Sequence, residues 1–301
     1  MRGSPHEIPL PQTVERAILH AVAYADVFDY ALTAVQIHRY LVGVSAPLAV
    51  VHAALRDGRF SHRADYFTLP GREAIVETRR HRAAVSARMW PSAMRYGRSI
   101  ANLPFVRMVA VTGALTMDNA EPETDVDYLI VTEPGRLWLC RAMVIAWVVK
   151  PAARDGIEIC PNYLLSERAL VVTEQNLFTA HEMTQMVPLT GWRIYHRMRQ
   201  LNDWTLRFLP NAGLRAPTRD LDPFPDSWRP ARAMAEVALR SPPGAWLERW
   251  EMTRKMRKFN EQAGDQVEAA FCPDWCKGHF DSHGHAILKA FAERLAAFEG
   301  D

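Results

Sequence analysis

Apolar residues recur at helical spacing along the start of the chain and then give way to alternation. In residues 12–30, Val14, Ile18, Leu19 and Val22 share one helical face. Thr33 is placed to cap a second helix that runs through Val35, Ile37 and Leu41 and ends near Gly43. A third helix is predicted from Ser45-Ala46-Pro47, a cap followed by proline, to Leu55. Asp57-Gly58 makes a turn, and alternating residues lead through Tyr66-Phe67-Thr68-Leu69 to Pro70-Gly71. Residues 72–100 read as an arginine-rich helix that Pro91 kinks or divides.

Further on, the pattern changes to short apolar runs. The run 106–111 ends at Gly113, and a second run, 128–131, follows Asp125-Val126-Asp127. Pro134-Gly135-Arg136 opens an apolar helix over 137–149, and 157–165 reads as a third strand. The three strands are expected to lie side by side. The remainder is predicted helical: 174–187, 191–209, 231–270 with a break at 241–244, and a last helix over 283–298. The fold class is therefore α+β.

Chemistry concentrates between the first two strands, in VAVTGALTMDNAEPETDVDYLIVT. Side chains alternate across a strand, so Asp125 and Asp127 point to the same face. Two carboxylates beside a glycine turn with free backbone N–H groups suit divalent metals carrying a polyphosphate. This arrangement resembles the nucleotidyltransferase superfamily typified by DNA polymerase β, whose signature is Gly-[Gly/Ser], about ten residues, then Asp-x-[Asp/Glu]. Ala114 departs from it, standing where the family has Ser or Gly. Residues 13–210 are also similar to bacterial nucleotidyltransferase-domain proteins with an N-terminal winged-helix-like segment. The landmarks are Phe28-Asp29-Tyr30, Tyr66 to Glu73, Leu103-Pro104-Phe105-Val106-Arg107, Asn162-Tyr163-Leu164 and Phe208-Leu209-Pro210-Asn211.

The resemblance implies a small mixed-sheet nucleotidyltransferase core over 73–170, a winged-helix-like module over 12–72 and a helical section over 171–301. It implies transfer of a nucleoside monophosphate from an NTP to a hydroxyl acceptor, dependent on Mg²⁺ (two ions, with Mn²⁺ able to substitute). Asp125 and Asp127 would bind the metals. Glu158, at the start of the third strand, is the candidate third carboxylate, with Asp155 as fallback and Asn162 as a neutral ligand. Gly113 permits close approach to the phosphates. Thr112 or Thr116 would replace the hydroxyl that Ala114 lacks, and Arg136 at a helix start would add positive charge. The acceptor stays open between a protein, an RNA end and a small molecule. The competing class is a weakened core acting as a DNA-binding or protein-docking factor.

Composition narrows this only in part. Residues 1–101 hold 13 Arg, no Lys and 8 acidic residues, which favours a phosphate-rich partner there. Yet the candidate recognition helix has only His52 and Arg56 to reach DNA, so DNA binding is not the favoured role. The arginines of 72–100 read first as a solvated face. The same holds for Arg193, Arg197 and Arg199 beside Trp192, Tyr195 and His196, whose alternative is an acceptor-binding wall. Cys272, Cys276, His279, His283 and His285 suit zinc by type, but Pro273 and Trp275 make the segment read as a docking turn. Four scattered cysteines, an N-terminus without an apolar core and no membrane-length apolar run point to a reducing cytoplasm.

Overall fold

The computed structural model describes residues 9–214, 216–217, 229–263, 271–277 and 283–299. The chain opens with α1 (Val14–Asp26), β1 (Leu32–Thr33), α2 (Ala34–Arg39), α3 (Leu48–Leu55), β2 (Ser61–Arg63) and β3 (Tyr66–Thr68). Thr33 caps α2 in a full capping box with Gln36. The helix stops at Arg39, a turn before Gly43. The first residue of α3 is Leu48, after Pro47, and no side chain caps it. The three short strands form an antiparallel sheet in the order β1-β3-β2.

One long helix, α4 (Ile75–Ala101), joins this part to the main sheet, and Pro91 lies within it without dividing it. Its buried residues, among them Trp90, Ala93 and Ile100, hold the helix against the sheet on both sides of the proline. Several of its arginines are used internally. Arg79 is buried, lies 4.4 Å from the Tyr30 ring centroid and donates to the Asp118 carbonyl at 2.9 Å. Arg82 donates to the Phe28 carbonyl at 2.9 Å. A solvated face describes only part of this helix.

The main sheet has six strands in the order β7-β4-β5-β6-β9-β8. These are β4 (Val106–Thr112), β5 (Val126–Thr132), β6 (Ile159–Ser166), β7 (Val187–Thr190), β8 (Phe271–Cys272) and β9 (Trp275–Lys277). The three strands expected from sequence are neighbours: β4 and β5 run antiparallel, β5 and β6 parallel. β7, hidden in a stretch read as helical, pairs with β4. The β8–β9 hairpin extends the other edge beyond β6.

Alternation buries the sheet on both faces. Val109, Val111, Tyr128 and Ile130 meet α4, α5 (Leu137–Val144) and the helix that continues through a π-helical turn (Ile145–Val149) into α6 (Lys150–Arg154). Met108, Ala110, Leu129 and Val131 meet α7 (Leu177–Gln185) and α8 (Trp192–Leu201). The chain continues through α9 (Thr205–Phe208), α10 (Arg229–Leu239) and α11 (Pro242–Ala263) to α12 (His283–Glu299). The core of the N-terminal part includes Leu177, Leu209, Phe291 and Leu295, so α7 and α12 close over it. Among the described residues no helix is long and apolar enough to cross a membrane.

Candidate functional site

The site begins with backbone geometry at the end of β4. Thr112 pairs with Asp127 across the antiparallel ladder, so the turn after β4 lies against the start of β5. Gly113 has φ 69° and ψ −160°, a conformation open in practice only to glycine. A Cβ built there would lie 2.3 Å from Asp127 Oδ2. The absent side chain is what leaves room for the carboxylate. A 3-10 turn, Ala114–Met117, follows, and the Thr116 hydroxyl donates to the Gly113 carbonyl at 2.8 Å. Thr116 is therefore committed to the turn, and the Thr112 hydroxyl is buried without a hydrogen-bond partner among the described residues.

Asp125 and Asp127 do come together, and their third neighbour is Cys160. Ligand atoms of Asp125, Asp127 and Cys160 all lie within 4.8 Å of one another. Parallel pairing sets Cys160 beside Asp127. Burial and the Asp125 charge, with a further contribution from Glu182, raise Asp127 to a pKa of about 8. Burial and the two carboxylates push the Cys160 thiol up, so it stays protonated and donates to them. Asp127 Oδ1 is buried and has no hydrogen-bond partner among the described residues.

Glu158 is not part of this group. β6 starts only at Ile159, after the positive-φ turn at Gly156, so strand alternation does not extend back to Glu158. Its carbonyl accepts from Val126 N at 2.9 Å, while its exposed side chain lines a separate cavity with Arg88 and Glu123. Asp155 is bound instead to Tyr96 at 2.7 Å and Arg95 at 3.0 Å. Arg136 lies beyond the other end of β5, about 17 Å along the strand from Asp127 at ~3.3 Å per residue. Its guanidinium stands 5.1 Å from the Phe105 ring centroid. Gly113, Ala114 and Asn162, by contrast, line one cavity with Asp127.

That cavity, of about 350 Å³, is the largest finding that sequence reasoning missed. The N-terminal helix supplies Tyr24 and the turn after it Phe28, β6 supplies Asn162 and Tyr163, and α7 supplies Phe178, His181 and Glu182. Between Asp127 and Leu129 the ladder skips a residue on β6, from Cys160 to Tyr163, and this bulge turns Asn162 into the cavity. His181 stacks on Tyr24 with centroids 4.1 Å apart, and burial lowers its pKa to about 3. Burial raises Glu182 to about 7, with Lys277 acting in the opposite direction. Lys277 stands 3.6 Å from Glu174. His181-Glu182, two titratable residues side by side on a short helix, was the one available signal in the sequence.

The other candidate walls and ligands lie elsewhere. On α8, Ile194, Tyr195 and Met198 are buried, Arg193 and Arg197 are exposed, and none lines the cavity. Arg199 is buried and donates to the Gly213 carbonyl at 2.8 Å, the reverse of the solvated face expected for it. Cys272 and Cys276 occupy the β8–β9 hairpin. His279 and the His283 side chain lie outside the described residues. Among the described residues the only metal-type cluster is Asp125, Asp127 and Cys160. No protein-family model, curated protein or solved structure matches this chain.

Proposed function

We propose that this protein is a Mg²⁺-dependent nucleotidyltransferase that moves a nucleoside monophosphate from an NTP to a hydroxyl acceptor. The observation that carries the reading is the fit of Gly113 against Asp127: a side-chain-free turn and a carboxylate line one cavity, and Asp125 lies beside that carboxylate. The donor set suits Mg²⁺ or Mn²⁺. Asp125 and Asp127 supply hard oxygens, the unpartnered Asp127 Oδ1 is open to a cation, and substrate phosphates complete such sites. Cys160 is no ligand for such an ion, because a thiol is a soft donor and Mg²⁺ and Mn²⁺ take hard oxygens. Bound there, the metal would neutralise the triphosphate and polarise its α-phosphoryl group.

The chain's own residues would do the rest. The Gly113 turn admits the phosphates, the carboxylates orient them, and the aromatic cavity holds the acceptor and excludes water. The acceptor oxygen forms a bond to the α-phosphorus as the bond to pyrophosphate breaks. The electron pair departs on pyrophosphate, and the hydroxyl proton leaves to solvent through the carboxylates. Incubating the protein with α-labelled NTPs, Mg²⁺ and lysate fractions tests this. Label should move to an acceptor, and Asp125→Asn should stop it.

The rival reading, a weakened core in a docking or DNA-binding factor, draws support from the third group beside the aspartates, which is Cys160 and not the expected carboxylate Glu158. The order helix, strand, two helices, two strands in residues 14–68 supports the winged-helix-like description of that module. Its candidate recognition helix, α3, exposes Ala49, Val50, His52 and Ala53, with Arg56 just beyond it, a poor surface for DNA. Because α1 also walls the cavity, we read the module as part of the substrate site.

A further inference from the structure

We infer that the cavity beside Asp127 binds a small, ring-bearing, cationic hydroxyl compound, and that polyanionic acceptors such as an RNA end are excluded from it. That this compound is the acceptor rests on the nucleotidyl-transfer reading; that it binds does not.

Three observations converge on this ligand. First, the walls are aromatic: Tyr24, Phe28, Tyr40, Tyr163 and Phe178 enclose about 350 Å³, within the size range of small-molecule sites. Such walls favour a ring and, through their negative faces, a cation.

Second, buried polar atoms on the cavity lining lack partners. His181 and Asn162 are each 4% exposed. His181 Nε2, Asn162 Oδ1 and Asp127 Oδ1 have no hydrogen-bond partner among the described residues. Gln185 Nε2 lies 3.0 Å from His181 Nδ1, so Nδ1 accepts and the ring proton sits on Nε2 as a free donor. A ligand that reached these atoms would match the donor with a hydroxyl and the acceptors with ammonium N–H groups. A dry apolar void would not be lined this way, since each unmatched buried group carries a desolvation cost.

Third, the charge is one-sided. Asp127 and Glu182 line the cavity, and the one cation lining it among the described residues, Lys277, is 3.6 Å from Glu174. A phosphate or carboxylate entering here would keep both acids protonated and find no free counter-charge, whereas an ammonium would let them ionise and would complete the site.

Calorimetry with three phenols of one shape tests this on the wild-type protein: tyramine (cationic), para-ethylphenol (neutral) and phloretate (anionic). The expected order is tyramine, then para-ethylphenol about tenfold weaker, then phloretate weakest. Glu182→Gln should remove the tyramine preference while para-ethylphenol still binds within about twofold. Equal affinities, a preference for phloretate, or no binding by any of the three at millimolar concentration would overturn the inference. The charge series needs no variant, so a poorly folding Glu182→Gln leaves it decisive. If tyramine binds in the expected order but Mg²⁺-NTP does not bind, the cavity assignment stands and the transfer reading falls. If Mg²⁺-NTP binds and the series is flat, the reverse holds.

Discussion

Gly113 and Asp127 are fitted to each other: a methyl group on the glycine would occupy space 2.3 Å from the carboxylate Oδ2. Gly113→Ala must therefore displace Asp127 and adopt a backbone region that disfavours side chains. We expect it to destabilise the fold by roughly 1–3 kcal/mol and to weaken Mg²⁺-NTP binding at least tenfold. Thermal unfolding and calorimetry on the same preparation check both. The neighbouring Ala114→Ser restores a hydroxyl at the turn and should strengthen NTP binding about fivefold, the worth of one hydrogen bond.

Asp127 should impose a pH dependence on the metal-free protein. Its folded pKa of about 8 lies above the ordinary carboxylate value of 3.8, so the folded state holds a proton that the unfolded state has released. Stability is thus full at low pH and declines as pH rises toward 8. Denaturant melts in chelator should show this slope, and Asp127→Asn should flatten it by up to about 6 kcal/mol. Added Mg²⁺ should oppose the decline. An unchanged slope in the variant would count against a buried, unpaired Asp127.

His181 works in the opposite direction. Burial lowers its pKa to about 3 from the ordinary 6.5, so the unfolded chain takes up a proton that the folded protein refuses. Stability from this group is full above pH 6.5 and is lost as pH falls toward 3. His181→Phe keeps a ring on Tyr24 and should remove that acid-side slope. Urea melts across the range decide.

Much of this architecture could be read from the chain, and the reasons for the gaps are specific. The two aspartates and the glycine were legible because a strand, a turn and a strand impose short-range order. Glu158 was misplaced because the strand start, three residues after Gly156, is set by pairing with β5, which sequence alternation cannot see. β7 was hidden because Val187–Thr190 is too short to show a period against flanking helices. The cavity was illegible for a stronger reason. Tyr24, Asp127, Asn162 and His181 are scattered along the chain and meet only through tertiary packing.

Cys160 gives a direct test of the metal cluster. Cys160→Asp adds a third carboxylate where two already repel. The metal-free variant should be less stable than the parent, and Mg²⁺ should restore it with an affinity at least tenfold higher. Cys160→Ala should leave Mg²⁺-NTP affinity within about twofold, since a soft thiol is no ligand for an ion that takes hard oxygens. Calorimetry with Mn²⁺ and Mg²⁺ separates the two outcomes.

The central claim is tested most directly by equilibrium binding of NTPs with and without Mg²⁺ to the wild-type protein, Asp125→Asn and Asp127→Asn. The account predicts Mg²⁺-dependent binding in the wild type and loss of at least tenfold in each folded variant. No NTP binding at millimolar concentration, or wild-type affinity in both variants, would contradict it.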